Sequence, residues 1–188
     1  GDDASPEKPQ KLIKKYGSQI NLTYKRFDSN IGSISLIKQW ERSIALSNDE
    51  EWLMILGDDD ILDVNVVEEF YSLLDGRNNS KIDLIRFNLK IINAIGDIQT
   101  NDYTYEDHES SQRFLERLFT PNETITASEF VFSRRVYKEK EGFVNYPLAW
   151  FSDYSTWLNF AENSGIFNVT SASVFWRLSK INISSKTA

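Results

Sequence analysis

Cysteine is absent from this 188-residue chain and histidine occurs once, at His108. The first absence excludes disulfides, thiol nucleophiles and cysteine-ligated zinc, and the second excludes a histidine metal cage. Any metal must therefore be held mainly by oxygen. No apolar run approaches the roughly 20 residues that span a bilayer, and Gly1-Asp2-Asp3 lacks the basic and apolar regions of a signal peptide. The expectation is a soluble, cytoplasmic protein. Positive charge is also in short supply, with 21 Lys and Arg against 28 Asp and Glu and a net charge of -7. No nucleic-acid partner is expected, because such a partner asks for a basic face that displaces counterions from phosphates. A phosphorylated small ligand stays within reach if a divalent cation sits between the two negative groups. What the chain does have is a 40% hydrophobic share, enough at this length for one domain with a core.

Read in order, Ser5-Pro6-Glu7 starts a helix that ends near Gly17, and 20–27 (INLTYKRF) reads as a strand. Ile34, Ile37, Trp40 and Ile44 recur at helical spacing between Gly32 and Leu46. Trp52 to Leu56 is a short continuous apolar run, suited to a buried central strand, and it opens into the loop Gly57-Asp58-Asp59-Asp60. A helix follows from Val64 to Leu74, stopped at Gly76, and then a strand from Ile82 to Ile92 with a hairpin partner reaching Thr104. In the second half, Gln112 to Phe119 reads as a helix, Ile125 to Phe132 as a strand, Tyr154 to Ala161 as a helix and Val174 to Leu178 as a last strand. This alternation predicts an α/β fold, a mostly parallel central sheet with helices on both faces, where ligands sit beyond the carboxyl ends of the strands. Nothing divides the chain, so 1–188 reads as one domain, with halves at 1–104 and 105–188.

Three consecutive aspartates after a buried strand repel one another unless a cation or a proton relieves them. In an arbitrary sequence such a triplet is more often a solvated loop with a helix cap at Asp60 or Asp63. At the end of a strand in an α/β sheet, however, it lies where a hard divalent cation and a phosphorylated ligand bind.

The order Gly1-Asp2-Asp3-Ala4-Ser5, helix, strand ending near Phe27, Asn30-Ile31-Gly32, then Trp52 to Leu62 (WLMILGDDDIL) resembles the nucleotide-sugar half of family 2 glycosyltransferases of the GT-A fold. The resemblance implies a metal-dependent, inverting transferase that moves a sugar from a nucleotide-diphosphate donor, a UDP-sugar first, to a hydroxyl on a carbohydrate or lipid-linked acceptor. It implies surface polysaccharide or glycolipid synthesis in a bacterial cytoplasm, at the inner face of the membrane. A non-catalytic nucleotide-sugar or carbohydrate-binding module of the same fold is the alternative. By the same resemblance Asp3 contacts the nucleotide base, Asn30 and Gly32 form a turn close to the donor, and Asp58 faces the ribose. Asp59 holds Mg²⁺ or Mn²⁺, with Asp60 as the alternative ligand. Family members begin with a further strand, helix and strand ahead of the Asp pair, whereas this sequence starts at the pair, and homo-oligomerisation would cover the resulting gap in the sheet.

Sugar transfer to an alcohol also needs a base for the acceptor proton. The stretch Pro147 to Trp157 resembles the region where the family places it, which makes Asp153 the catalytic base. A helix cap at Ser152 or Asp153 is the plainer reading of the same residues. Trp150 and Trp157, with Tyr146, are candidate acceptor contacts, because aromatic faces pack on sugar rings, although such spacing is also that of a core. Arg134 and Arg135 either meet a charged acceptor or are solvated. Near the end, Phe175 to Lys180 resembles the family's closing strand and loop. Arg177 or Lys180 would then contact phosphate, and Ser179 takes a position that is often histidine in the family. The serine-rich end from Asn182 to Thr187 reads as a lid or a loose terminus.

Overall fold

Alternation of side chains along two strands decides how the layers stack. The structure is a computed structural model, described over residues 1–7, 9–75, 82–99, 105–120 and 124–178. Leu84 of β3 (Leu84–Ile92) and Phe130 and Phe132 of β5 (Phe130–Ser133) face one way, and Ile85, Phe87 and Val131 face the other. Two apolar layers result, as the period of 2 requires. The first joins Ile37 and Ile44 of α2 (Leu36–Ile44), Phe114 of α4 (Ser111–Leu118) and Trp157 and Phe160 of α6 (Ser152–Phe160). The second joins Val66, Phe70 and Leu74 of α3 (Val66–Asp75) with Val169 and Val174 of β6 (Ile166–Arg177). Helices therefore cover both faces of the sheet.

The described strand order is β1-β5-β3-β6-β2, where β1 is Trp52–Met54 and β2 is Ile61–Leu62, and β4 (His108–Glu109) pairs with β6. The longest ladder, β3 with β6 at the centre, is parallel and runs from Ile85 opposite Phe167 to Ile92 opposite Arg177. The pairs around it, β1 with β5, β3 with β5, β2 with β6 and β4 with β6, are antiparallel. The parallel character expected from the sequence is thus concentrated, among the described strands, in the central β3–β6 pair. β1 stands at one end of the described order rather than in its middle. Its Leu53 is buried because it belongs to the first apolar layer, not because strands flank it on both sides.

Helices start where a serine precedes the apolar pattern. Ser35, Ser110 and Ser133 accept from the amides of Lys38, Arg113 and Val136, which caps α2, α4 and α5 (Arg134–Glu139). The expected strand at 20–27 reduces to a parallel bridge between Asp2 and Arg26, held by Asp2 N–H to Lys25 O and Phe27 N–H to Asp2 O, both 2.8 Å. The first helix is α1 (Gln10–Tyr16). The expected strand at 125–132 starts only at Phe130, because Thr126, Ser128 and Glu129 form a side-chain-bonded turn instead. β6 begins eight residues before the expected Val174, since Phe167, Val169 and Thr170 continue the β-branched and aromatic run. Gly76, Thr104, Ser179, Lys180 and 182–187 lie outside the described residues. Among the described residues no helix is long and apolar enough to cross a membrane.

Candidate active site

The acidic loop leaves β1 and turns back into β2, which pairs with the end of β6. That return is what shapes it. Asp60 accepts from the backbone N–H of Arg177 at 3.0 Å through Oδ1 and from the Ser128 hydroxyl through Oδ2. Arg177 closes the clamp with its side chain, donating from Nε to Asp59 O at 2.9 Å and from Nη1 to Asn93 O at 3.0 Å and Ala94 O at 3.2 Å. Arg177, singled out for the diphosphate, is in this structure the strap that holds the loop.

The geometry of the loop leaves no room for a side chain at Gly57. A Cβ on Gly57 would lie 2.7 Å from Asp60 Oδ2 and 3.3 Å from Asp59 Oδ1. The two carboxylates fold over the glycine and approach one another there. Partial desolvation and then repulsion from Asp60 and Asp58 raise the proton affinity of Asp59, with Arg177 opposing. Asp58 and Asp59 lie on the exposed side of the loop, so desolvation is incomplete and the crowding of like charges is the part that a cation would relieve. Among the described residues no three His, Asp or Glu side chains gather to enclose a metal. Mg²⁺ and Mn²⁺ beside phosphates take one or two carboxylates from the protein and the rest from phosphate and water. The oxygen-only pair Asp59 and Asp60 fits that shared mode and not a closed cage.

Asp3 and the Asn30–Gly32 turn, far apart in sequence, form one knot. The Asp3 carboxylate accepts from the amides of Ile31 at 2.9 Å and Gly32 at 2.8 Å and pairs with the Arg42 guanidinium. Asn30 Nδ2 donates to Asp3 O at 3.0 Å, while its Oδ1 accepts from Ser33 N–H at 3.2 Å. Gly32 is required for contact, since a Cβ there would meet Asp3 Oδ2 at 2.6 Å. Asp2 is held by Tyr24 Oη and Arg26 Nη1, each at 2.7 Å, and by Ser5 N–H at 2.8 Å. The Tyr24 hydroxyl leads the contacts that lower its carboxyl below the usual range.

Asp153 sits in the first turn of α6, half-buried, its carboxylate accepting from the N–H of Tyr154 at 2.9 Å. Burial lifts its carboxyl from 3.8 to about 6, against the pull of two backbone amides. Ser152 rather than Asp153 fixes the chain here: its hydroxyl accepts from Tyr146 N–H at 3.0 Å. The residues leading in are strained, with Leu148, Ala149 and Phe151 at φ near 58–59°. Left-handed non-glycine residues cost about 1–3 kcal/mol each and gather at functional sites. Trp150 is 51% exposed beside them.

Trp157 is not open. It is 0% exposed and stacks on Phe130 at 4.7 Å and 20°, with Phe132, Phe143 and Phe160 around it. Its place one turn after Asp153 on α6 points it into the sheet, which corrects the expectation of an acceptor contact. Arg134 and Arg135 are likewise structural, bound to Ser47 and Glu50 and to Asp83. Three further groups meet only in the folded chain: Arg42 on Asp3, Ser128 on Asp60, and a buried pair in which Arg86 Nε donates to Glu129 Oε1 at 2.8 Å. Only the last left a trace in the sequence, a charge within each of two apolar strand segments.

No family model matches the chain, and no curated protein matches its sequence. Solved structures do. The chain is similar to the crystal structure of S. aureus TarS, a glycosyltransferase, with a TM-score of 0.67 at 13% identity over 95% of this chain and 30% of that one. A match of that quality over 95% of the chain shows the fold: the α/β architecture that carries the acidic loop and Asp153 is the one found in part of TarS.

Proposed function

We propose that the chain is the donor-binding and catalytic core of a metal-dependent, inverting glycosyltransferase that moves a sugar from a nucleoside-diphosphate donor to a hydroxyl acceptor. The observation that carries this reading is a crowded Asp58-Asp59-Asp60 loop and a separate half-buried Asp153 within a glycosyltransferase fold. Asp59 is the first ligand to Mg²⁺ or Mn²⁺ and Asp60 the second, while Asp58 faces the ribose. A divalent cation bound there would offset the charge that develops on the departing diphosphate. Asp153 takes the proton from the acceptor hydroxyl, a task suited to a carboxyl raised to about 6. The exposed Trp150 offers an aromatic face to the acceptor sugar. The Asp3, Asn30 and Gly32 knot borders the nucleotide base. UDP-sugars are the first donors to try, and a carbohydrate or lipid-linked acceptor in surface polysaccharide or glycolipid synthesis, at the inner face of a bacterial membrane, completes the reading.

A panel of UDP- and GDP-sugars, followed by release of nucleotide with Mn²⁺ and with EDTA, tests it. The expected result is release from at least one donor with Mn²⁺ only, abolished in Asp153→Asn while that variant still binds the nucleotide. Nucleotide binding with equal, negligible release from wild type and variant would favour a non-catalytic binding module. Neither binding nor release would end the proposal.

A further inference from the structure

Ser128 is buried, at 5% exposure, and lies in a turn just ahead of β5, 68 residues beyond the acidic loop that its hydroxyl reaches. We propose that Ser128 is a positioning residue for the donor site, orienting the Asp60 carboxylate beside Asp59 so that the two can face the cation and the diphosphate together. This rests on the glycosyltransferase reading, and it adds a residue that no acidic motif would single out.

The tether is anchored at both ends. On the Ser128 side, Glu129 is fully buried, and its Oε1 accepts from Arg86 Nε at 2.8 Å. Its Oε2 accepts from Thr126 N–H at 3.1 Å and from Thr126 Oγ1 at 3.2 Å, and the Thr126 hydroxyl accepts from Ser128 N–H at 3.3 Å. The backbone is fixed as well, because Phe87 N–H of β3 donates to Glu129 O at 2.9 Å. The turn therefore has its conformation set by an ion pair inside the first apolar layer, and Ser128 has little freedom to leave Asp60. On the loop side, Asp60 Oδ1 is held by Arg177 N–H at 3.0 Å, so both carboxylate oxygens are oriented by separate donors. A neutral hydroxyl suits this place. It orients Asp60 without cancelling its charge, whereas a Lys or Arg there would compete with the cation for the same carboxylates. Gly57 fits the same scheme, since the oriented Asp60 Oδ2 occupies the space that a Cβ would need.

Three measurements separate this idea from a merely structural role: calorimetric titration of UDP and GDP with Mn²⁺, thermal melting without metal, and hydrogen exchange of the loop amides at 57–62 in the metal-free protein. They apply to wild type, Ser128→Ala, Ser128→Thr and Asp60→Ala, and to the Ser128→Ala/Asp60→Ala double variant. Loss of a group that orients a metal ligand typically weakens binding about 10–100-fold. Ser128→Ala is expected to weaken Mn²⁺-dependent nucleotide binding by about tenfold or more, to speed exchange of the loop, and to leave the melting midpoint within a few degrees of wild type. Ser128→Thr, which keeps the hydroxyl, restores binding. In the Asp60→Ala background the further effect of Ser128→Ala falls to about twofold or less, because the two act as one unit. Wild-type binding and exchange in Ser128→Ala, or full additivity with Asp60→Ala, would overturn the proposal. If wild-type protein binds neither nucleotide, the donor reading fails by itself. Exchange then decides the tether: faster loop exchange in Ser128→Ala upholds the link to Asp60, and unchanged exchange refutes it.

Discussion

A carboxylate that must accept a proton near neutral pH works best when its own proton affinity lies close to that pH. Asp153, raised to about 6 by burial, meets this condition, and the same burial has a cost. The folded value lies above the unfolded one, so Asp153 contributes stability that is fully present below about pH 4 and lost as pH rises through 6. Two outcomes follow for Asp153→Asn. Transfer should fall by about 10²–10⁴-fold at pH 7.5, and in the wild type the rate should decline as pH drops below about 6, because the base becomes protonated. The variant should also melt about 2–4 °C higher than wild type at pH 7.5, with no gain at pH 4. A scan of melting temperature against pH for both proteins checks the second point without any substrate. At Gly32 the expected effect is steric: Gly32→Ala puts a methyl 2.6 Å from Asp3 Oδ2 and should cost about 1–2 kcal/mol in urea unfolding by breaking the knot around Asp3.

Among elements, α6 carries two residues whose roles the sequence pattern could not separate. Both Asp153 and Trp157 fall on one helix at near-helical spacing, yet the first is half-buried at the start of the helix and the second lies against Phe130 of β5. Trp157→Ala should therefore cost about 3–5 kcal/mol of stability, as loss of a large buried aromatic does, whereas an acceptor-facing tryptophan would cost little. Denaturant midpoints of Trp157→Ala and Trp150→Ala, side by side, make the contrast. The helices α2, α3, α4 and α6 were legible because their apolar positions recur at helical spacing and a serine precedes two of them. Less was legible at 125–129, where the charge of Glu129 marks the segment but alternating hydrophobicity does not say that it turns inward to meet Arg86 and bends the chain. Parallel and antiparallel neighbours were equally hidden. Strand direction depends on which distant segments pair, and a local period of 2 is the same in both.

For the molecule as a whole, the sequence led to the correct architecture through a resemblance, and the solved structure of TarS carries that fold at 13% identity. The residues proposed for the donor side fall into two groups, Asp3, Asn30 and Gly32 in one knot and Asp58, Asp59 and Asp60 in one loop. What joins the loop to the rest was not legible in the sequence. Ser128 and Arg177 reach it from 68 and 117 residues away, through contacts to Asp60 that only folding creates. Calorimetric titration of UDP, then GDP, into the protein with and without Mn²⁺, repeated on Asp59→Ala, decides whether that loop holds the donor. One nucleotide should bind only with Mn²⁺, and at least tenfold more weakly to the variant. Equal binding with and without metal, or an unaffected Asp59→Ala, would contradict that role for the loop.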